Sequence, residues 1–250
     1  LLSVVTARDF GWIGTKASIE KLEQTFATLQ QLGQYQGHFF NWYDTQTLQP
    51  LAPAYISSVD SGNLAGHLLA LANSLEDWQQ QLQAPLAMQG LADTLALAQH
   101  SLRQGNDGQI ENTQLRTILA EIAQKLATAN DATTLYGPLT SLATNVLNLS
   151  LNTTAADGNI SSIDTDSLGY YLQSLLDTLK QHQQESTTNT PEQQSLRQRL
   201  VVLAAHSREL ALQMNFAFLL NAERNLLSIG YAVAHNQLDD SCYDLLASEA

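Results

Sequence analysis

Asp60-Ser-Gly-Asn63-Leu64-Ala-Gly-His67-Leu68-Leu-Ala-Leu71-Ala-Asn-Ser-Leu75-Glu-Asp-Trp78-Gln-Gln-Gln-Leu82 reads as one long helix. Leu64, Leu68, Leu71, Leu75, Trp78 and Leu82 recur at alternating four- and three-residue steps, which places them on one face of a helix. Asp60 or Ser61 is suited to cap its start by accepting from a free N–H of the first turn. Gly62 and Gly66 leave the first turns narrow enough for another element to approach closely, and Pro85 ends the run.

The same period continues outward in both directions. Upstream, Ile19, Leu22, Phe26, Leu29 and Leu32 repeat it, with Gly33 as the stop. Downstream, helices are predicted over residues 86–103, 112–128, 135–149, 165–184 and 191–220, the last with Leu196, Leu200, Leu203, Ser207, Leu210, Met214 and Ala217 at heptad-like steps. Polar loops are expected at 152–162 and 185–191, with Pro191 placed at a helix start. Leu226 to Val233 is short and apolar with a glycine inside, so it reads as a strand or small hairpin; Asn236 marks a turn, and a further helix is expected from near Asp239. The fold class is all-α: antiparallel helices with one small β element near 226–233.

The chain has 250 residues, enough to bury a sizeable core. Its formal net charge is −13, from 24 acidic against 11 basic residues. That balance argues against nucleic acid, whose phosphates need clustered Lys and Arg, and against an anionic membrane surface. No apolar run reaches the roughly 18–20 residues that cross a bilayer, and no basic stretch followed by an apolar core marks a signal peptide at the start. A single cysteine, Cys242, excludes an intrachain disulfide; with no His–Asn partner nearby in sequence it reads as a structural thiol. No phosphate-binding loop, dinucleotide fingerprint or serine-nucleophile elbow is present. His38 and His67 stand apart and form no ligand-spaced pair, so no metal site is expected. His206 falls on the last long helix, facing a polar seam.

Just before the long helix the composition changes to His38-Phe-Phe-Asn-Trp42-Tyr43-Asp44-Thr-Gln-Thr-Leu-Gln-Pro50-Leu-Ala-Pro53-Ala-Tyr55. Flat rings stack on the C–H faces of pyranoses, while carboxylates and amides pair with hydroxyls, so Trp42, Tyr43 and Asp44 form a candidate sugar platform. The alternative is an aromatic anchor for a loop, with Asp44 as a turn residue. Asp60 and Asn63 are either capping residues or hydroxyl-recognition residues. Asp44 and Glu249 are two carboxyls that on paper could serve glycoside chemistry, which needs a pair ~6.5–9.5 Å apart for inversion; no catalytic residue is assigned in the chain.

The stretch from Asn41 to Leu68 resembles a segment of the bacterial cyclic β-1,2-glucan synthases. A second match lies at Leu227-Ser-Ile-Gly-Tyr231 and at Leu238-Asp-Asp-Ser-Cys242-Tyr243-Asp244-Leu-Leu-Ala-Ser-Glu249-Ala250, and Val5-Thr-Ala-Arg-Asp-Phe-Gly-Trp-Ile13 fits the approach to the first. Cys242 replaces the usual Tyr, Ala232 a common Asn and Asn221 a common Asp. The middle, roughly 84–190, carries no recognised motif.

The resemblance implies an internal piece of a longer membrane-embedded enzyme, consistent with a first residue Leu1 and a last residue inside the second motif. It implies that residues 1–83 hold the first elements of a glycoamylase-like (α/α)6 toroid, 84–220 an accessory helical bundle, and 221–250 a return to the toroid. The parent is expected to polymerise glucose from UDP-glucose, with a divalent metal, and to close the β-1,2-glucan into a ring at the cytoplasmic face of the inner membrane. This piece is expected to be soluble, to hold no cofactor, to make no membrane contact, and to lack turnover, with catalytic glutamates beyond Ala250. Its expected partners are the β-1,2-glucan chain, met by Trp42, Tyr43, Asp44, Asp60, Asn63 and Tyr231, and the remaining domains of the parent. A toroid lacking its later helices is also expected to expose an apolar face that pairs non-natively with a second copy. Two other readings stay open: a helical spacer without sugar contact, and part of an autonomous glycoside hydrolase or phosphorylase.

Overall fold

The computed structural model describes residues 1–104, 110–128, 132–156, 162–187 and 189–243. Among them are eight α-helices, α1 (Leu2–Asp9), α2 (Thr15–Leu29), α3 (Ser58–Gln80), α4 (Ala87–Gln104), α5 (Ile110–Thr128), α6 (Ala132–Ala156), α7 (Ser162–Thr187) and α8 (Thr190–Gln213). Seven short strands accompany them: β1 (Gln34–Tyr35), β2 (His38–Phe39), β3 (Tyr55–Ser57), β4 (Leu220–Asn221), β5 (Leu226–Leu227), β6 (Gly230–Ala232) and β7 (Gln237–Leu238). The chain is mostly helical, as the apolar period requires. It divides into two compact units, one of Leu1–Leu2, Glu20–Gln79 and Gln198–Ala250, the other of Ser3–Ile19 and Gln80–Arg197.

The second unit is a four-helix bundle in which α4 packs on α5, α5 on α6, α6 on α7 and α7 back on α4. Leu91, Leu95, Ala98 and Leu102 of α4 and Leu115, Leu119 and Ile122 of α5 meet Tyr136, Leu139, Ala143 and Val146 of α6. Leu172, Leu175, Leu176 and Leu179 of α7 close the same core. The three-four spacing within each helix is the spacing that bundle packing needs. Ahead of the bundle, the turn after α1 lies against α4 with no room for a side chain: a Cβ on Gly11 would come within 2.3 Å of the Leu86 carbonyl oxygen, and one on Gly90 within 2.3 Å of Gly11 backbone. Gly11 also has φ +75, a left-handed conformation that costs a glycine nothing.

The first unit joins the C-terminal parts of α2 and α8, and α3 as far as Gln79, to the short strands. Leu68, Leu71, Ala72, Leu75 and Trp78 of α3 are buried, the face the sequence marks as apolar. Arg199 of α8 makes a bidentate pair with Glu23 of α2 at 2.7 and 2.6 Å, and Arg208 reaches Glu76 and Asn73 of α3. β3, β6 and β7 form an antiparallel sheet in which Tyr55 pairs with Ala232, Ile56 with Tyr231 and Ser57 with Gly230. Beneath it Ile56, Leu219 and Tyr231 form a small core with Tyr35, Phe216 and Phe218 packed around it. The Tyr35 and Tyr231 rings stack at 5.6 Å, and Phe218 meets both edge-on.

Several boundaries depart from the periodic reading. The long helix starts at Ser58, capped neither by Asp60 nor by Ser61: Ser57 Oγ accepts the Asp60 N–H at 3.2 Å, and Ser61 is buried. Gly62 and Gly66 serve no close packing, since a Cβ on either would meet nothing within 4 Å among the described residues. α8 stops at Gln213, seven residues before the expected end at 220, because the Asn215 side chain accepts the Ala217 N–H at 3.0 Å and caps a single 3-10 turn over Phe216–Leu219. α6 runs through residues 152–156, where a loop is expected, since Asn and Thr cost a helix only tenths of a kcal/mol each. α7 extends to Thr187 as Ser186 and Thr187 hydroxyls return to Gln183 O at 2.7 and 3.1 Å. Pro191 does sit in the first turn of α8, where Asn189 caps the Glu192 N–H at 3.1 Å. Leu226–Val233 contains β5 and β6, but residues 239–243 form no helix: the chain bends at Asp240, and Cys242 makes an isolated bridge to Ser228. Asp244 and Glu249 lie outside the described residues.

Two consequences are measurable. A Cβ on Gly230 would lie 2.3–2.4 Å from the Tyr55 ring, so Gly230→Ala must push that ring off the sheet and break its hydroxyl bond to Asp239. A loss of about 1–3 kcal/mol in urea denaturation is expected, against a smaller loss for Tyr55→Phe. His38 is fully buried, edge-on to Phe216 and Phe218 at 4.7 and 5.2 Å, and among the described residues no group stands in hydrogen-bond geometry at either ring nitrogen. Burial lowers its pKa, outweighing an opposing contribution from the Asn215 backbone. A group whose folded pKa lies below its unfolded value of about 6.5 destabilises the fold as pH falls below that value. The urea midpoint is therefore expected to drop between pH 7.5 and pH 5, and to drop less in His38→Phe.

Candidate functional site

Between β2 and β3 the chain makes a compact loop that carries three of the sequence-predicted residues. Its two sides are joined by the Leu51 N–H to Trp42 O at 3.0 Å, the Asp44 N–H to Gln49 O at 2.9 Å and the Leu48 N–H to Asp44 O at 2.8 Å. The Asp44 carboxylate turns the tip by accepting from the N–H groups of Thr47 at 2.7 Å and Gln46 at 2.9 Å. Those donors, Thr47 first and Gln46 next, hold its pKa below the usual carboxylate value. Asp44 is therefore a partly exposed anion at neutral pH, an acceptor of hydrogen bonds and no proton donor.

Tyr43 and Trp42 divide the aromatic work. The Tyr43 hydroxyl accepts from the Phe40 N–H at 2.8 Å and donates to Gly33 O at 2.7 Å, so it braces the loop from within; burial raises its pKa despite the Phe40 donor. Trp42 is 50% exposed while its backbone is pinned, so the indole offers a flat apolar surface on a fixed base.

Asn41 links this loop to the helix. Its N–H donates to Tyr55 O at 3.0 Å, and its side-chain oxygen accepts the Ser57 N–H at 3.1 Å. Ser57 in turn caps α3. The first turns of α3 carry Asp60 and Asn63, both exposed, beside the open positions of Gly62 and Gly66. His67 is exposed on the same helix.

Tyr231 is placed differently. It faces Ile56 across β3–β6, is only 8% exposed, and donates its hydroxyl to Asn236 Oδ1 at 2.6 Å. Its ring belongs to the aromatic core under the sheet. Tyr55 lies over Gly230 and donates to Asp239 Oδ2 at 3.2 Å; burial first, then the Asp239 charge, pushes its pKa up to about 12. Trp42, Tyr43 and Asp44 thus share one loop, and Asn41 couples that loop to Asp60 and Asn63, while Tyr231 supports the sheet from below. Sequence reasoning passed over Asn41 and the ring partners Tyr35, Phe216 and Phe218. Asn41 stands within the aromatic stretch, but its link to Ser57 depends on where β3 runs. Among the described residues no group of three or more His, Cys, Asp or Glu side chains is placed to hold a metal ion, and no helix is long and apolar enough to cross a membrane.

No family-wide sequence profile matches the chain. Compared with individual proteins, it is similar to the cyclic beta-(1,2)-glucan synthase NdvB of Rhizobium meliloti (strain 1021), at 38% identity over 259 aligned residues. The alignment covers 100% of this chain and 9% of that much longer protein. Over its whole length, this chain belongs with the cyclic β-(1,2)-glucan synthases, as the counterpart of one segment of such an enzyme.

Proposed function

We propose that the loop at residues 41–51 and the first turns of α3 form one wall of a glucan-binding cleft in a cyclic β-1,2-glucan synthase. The observation that carries this reading is the half-exposed Trp42 on a hydrogen-bonded base next to an ionised Asp44. An indole face of that kind covers the C–H face of a glucose unit, and Asp44 accepts from its hydroxyls without the option of protonating a glycosidic oxygen. Asp60 and Asn63 add an acceptor and an amide beside a helix surface kept open by Gly62 and Gly66. Tyr43 and Tyr231 act as braces in this scheme, because both hydroxyls are already committed within the fold.

The wider reading extends the resemblance of the two motifs to the cyclic β-1,2-glucan synthases. The intact enzyme makes β-1,2-glucan from UDP-glucose and closes it into a ring, and this segment holds substrate without supplying the catalytic carboxyls. The sheet-bearing unit belongs to a glycoamylase-like toroid, and the four-helix bundle, with a core of its own, is an accessory domain. UDP-glucose, a divalent metal and membrane attachment belong to other parts of the polypeptide.

In the intact synthase, Trp42→Ala is expected to raise the KM for linear β-1,2-glucan in the cyclising step about tenfold, equivalent to roughly 1.4 kcal/mol, with a smaller effect for Trp42→Phe. Cyclisation and glucan affinity at the wild-type level in Trp42→Ala would refute the binding role. The isolated chain is expected to release no glucose from β-1,2-glucan; hydrolysis by it would place catalytic carboxyls within these residues.

A further inference from the structure

In the first unit α8 is apolar on two sides. Leu200, Leu203, Ser207 and Leu210 are buried on the side that meets the rest of the unit, where the His206 ring lies 5.3 Å from that of Phe26 and Arg208 reaches Glu76. The opposite side is exposed. From residue 198 to the end of the helix its exposed positions are Gln198, Val201, Val202, Ala205, Glu209, Leu212 and Gln213, with Glu209 as the single charge among them. Val201 is 45%, Val202 56% and Leu212 78% exposed. A face that meets water is composed differently: the exposed positions of α2 in the same unit include Glu20, Lys21, Gln24, Thr25 and Thr28.

A helix that is apolar on both sides is ordinarily a buried one. The adjacent valines sharpen the point. β-Branched side chains lose rotamer freedom in a helix and form it less readily than Gln, Glu or Lys, so neither hydration nor helix propensity favours them on a wet face. Val201, Ala205 and Leu212 follow one another at four- and seven-residue steps with Val202 beside them, a stripe of the kind that packs against another helix. Size and chain length decide what covers it. Separate molecules that bind stably bury about 800 Å² each through roughly 20–30 residues a side, whereas this stripe offers the apolar side chains of Val201, Val202, Ala205 and Leu212 alone. A segment of the same polypeptide needs far less contact, because its effective concentration is on the order of millimolar. Such a polypeptide is at hand, since the alignment that covers 100% of this chain covers 9% of the related synthase.

We propose that the outward face of α8 seats an amphipathic helix from the part of the synthase polypeptide outside these 250 residues. Its apolar stripe lies on Val201, Val202, Ala205 and Leu212, and a basic or amide side chain faces Glu209, whose carboxylate takes one hydrogen bond from Gln213 at 3.0 Å. The proposal rests on membership of the synthase family and is independent of the glucan-binding role of Trp42. Photo-crosslinking in the intact synthase tests it. A benzophenone side chain is introduced in place of Leu212, which is the most exposed of the four and carries the probe without repacking, and in a second variant in place of Val202. A third variant carries it in place of Gln24, on the polar face of α2, as the control. Irradiation is expected to join positions 212 and 202 to a peptide of the same polypeptide outside the 250 residues, identified by mass spectrometry, at a yield about tenfold or more above the Gln24 control, the excess expected of an apolar contact. Trp42→Ala in the same protein should leave that yield unchanged, which separates failure here from failure of the cleft reading. A product of doubled mass, which would make a second copy the occupant, would overturn the proposal. So would a crosslink to lipid or to another stretch of these 250 residues, or yields at both positions no higher than at Gln24.

Discussion

The hydrogen bond from the Ser57 N–H to Asn41 Oδ1 is the joint on which the first unit's surface depends. Ser57 is at once the last residue of β3, paired with Gly230, and the cap of α3. One short segment therefore fixes the sheet register, the start of the longest helix of this unit and the base of the aromatic loop. A neutral hydrogen bond contributes only about 0.5–1.5 kcal/mol, but leaving the N–H of the buried Ser57 without a partner costs more than the bond contributes. The effect of the joint is positional. It holds Trp42 and Asp44 in a fixed relation to the α3 N-terminus at little cost in binding entropy.

Support from below comes from packing. Ile56 is fully buried, and Tyr231, Tyr35 and Phe218 fill the space beneath β3 with rings at 5.1–5.6 Å. Ser228, fully buried, places its hydroxyl 2.7 Å from Asp239 O and so ties the strands to the chain that follows. These contacts make the sheet rigid without leaving its aromatics on the surface. Among the aromatic side chains of this unit, exposure is concentrated on Trp42, which is where a ligand-facing ring is useful.

The helices were legible because their signal is local and periodic. Leu68, Leu71, Leu75 and Trp78 are buried as their spacing implies, and so are Leu196, Leu200, Leu203, Ser207 and Leu210. The end of α8 was not legible, because Asn215 competes for a backbone N–H through its side chain. The start of α3 was not legible either: Ser57, Ser58, Asp60 and Ser61 are all capping residue types, and pairing with a strand far along the chain selects among them. The site was legible as a composition, aromatics beside carboxylates and amides, but composition does not separate the exposed Trp42 from the buried Tyr231. The α7 stripe of Thr178, Gln181, His182 and Glu185 shows helical spacing in the sequence too. A polar stripe of that kind ordinarily marks a solvated face, and here it faces backbone.

The central claim is that Trp42 presents its indole to glucan. Replacing Trp12 and Trp78 with Phe leaves Trp42 as the single tryptophan, and titration with linear β-1,2-glucan then reads that ring alone. A saturable change in intensity with a blue-shifted emission is predicted, because stacking removes the indole from water, and it should be absent with an α-1,4-linked glucan of equal length. Unchanged emission across the titration, in a variant that keeps the wild-type urea midpoint, would contradict the claim.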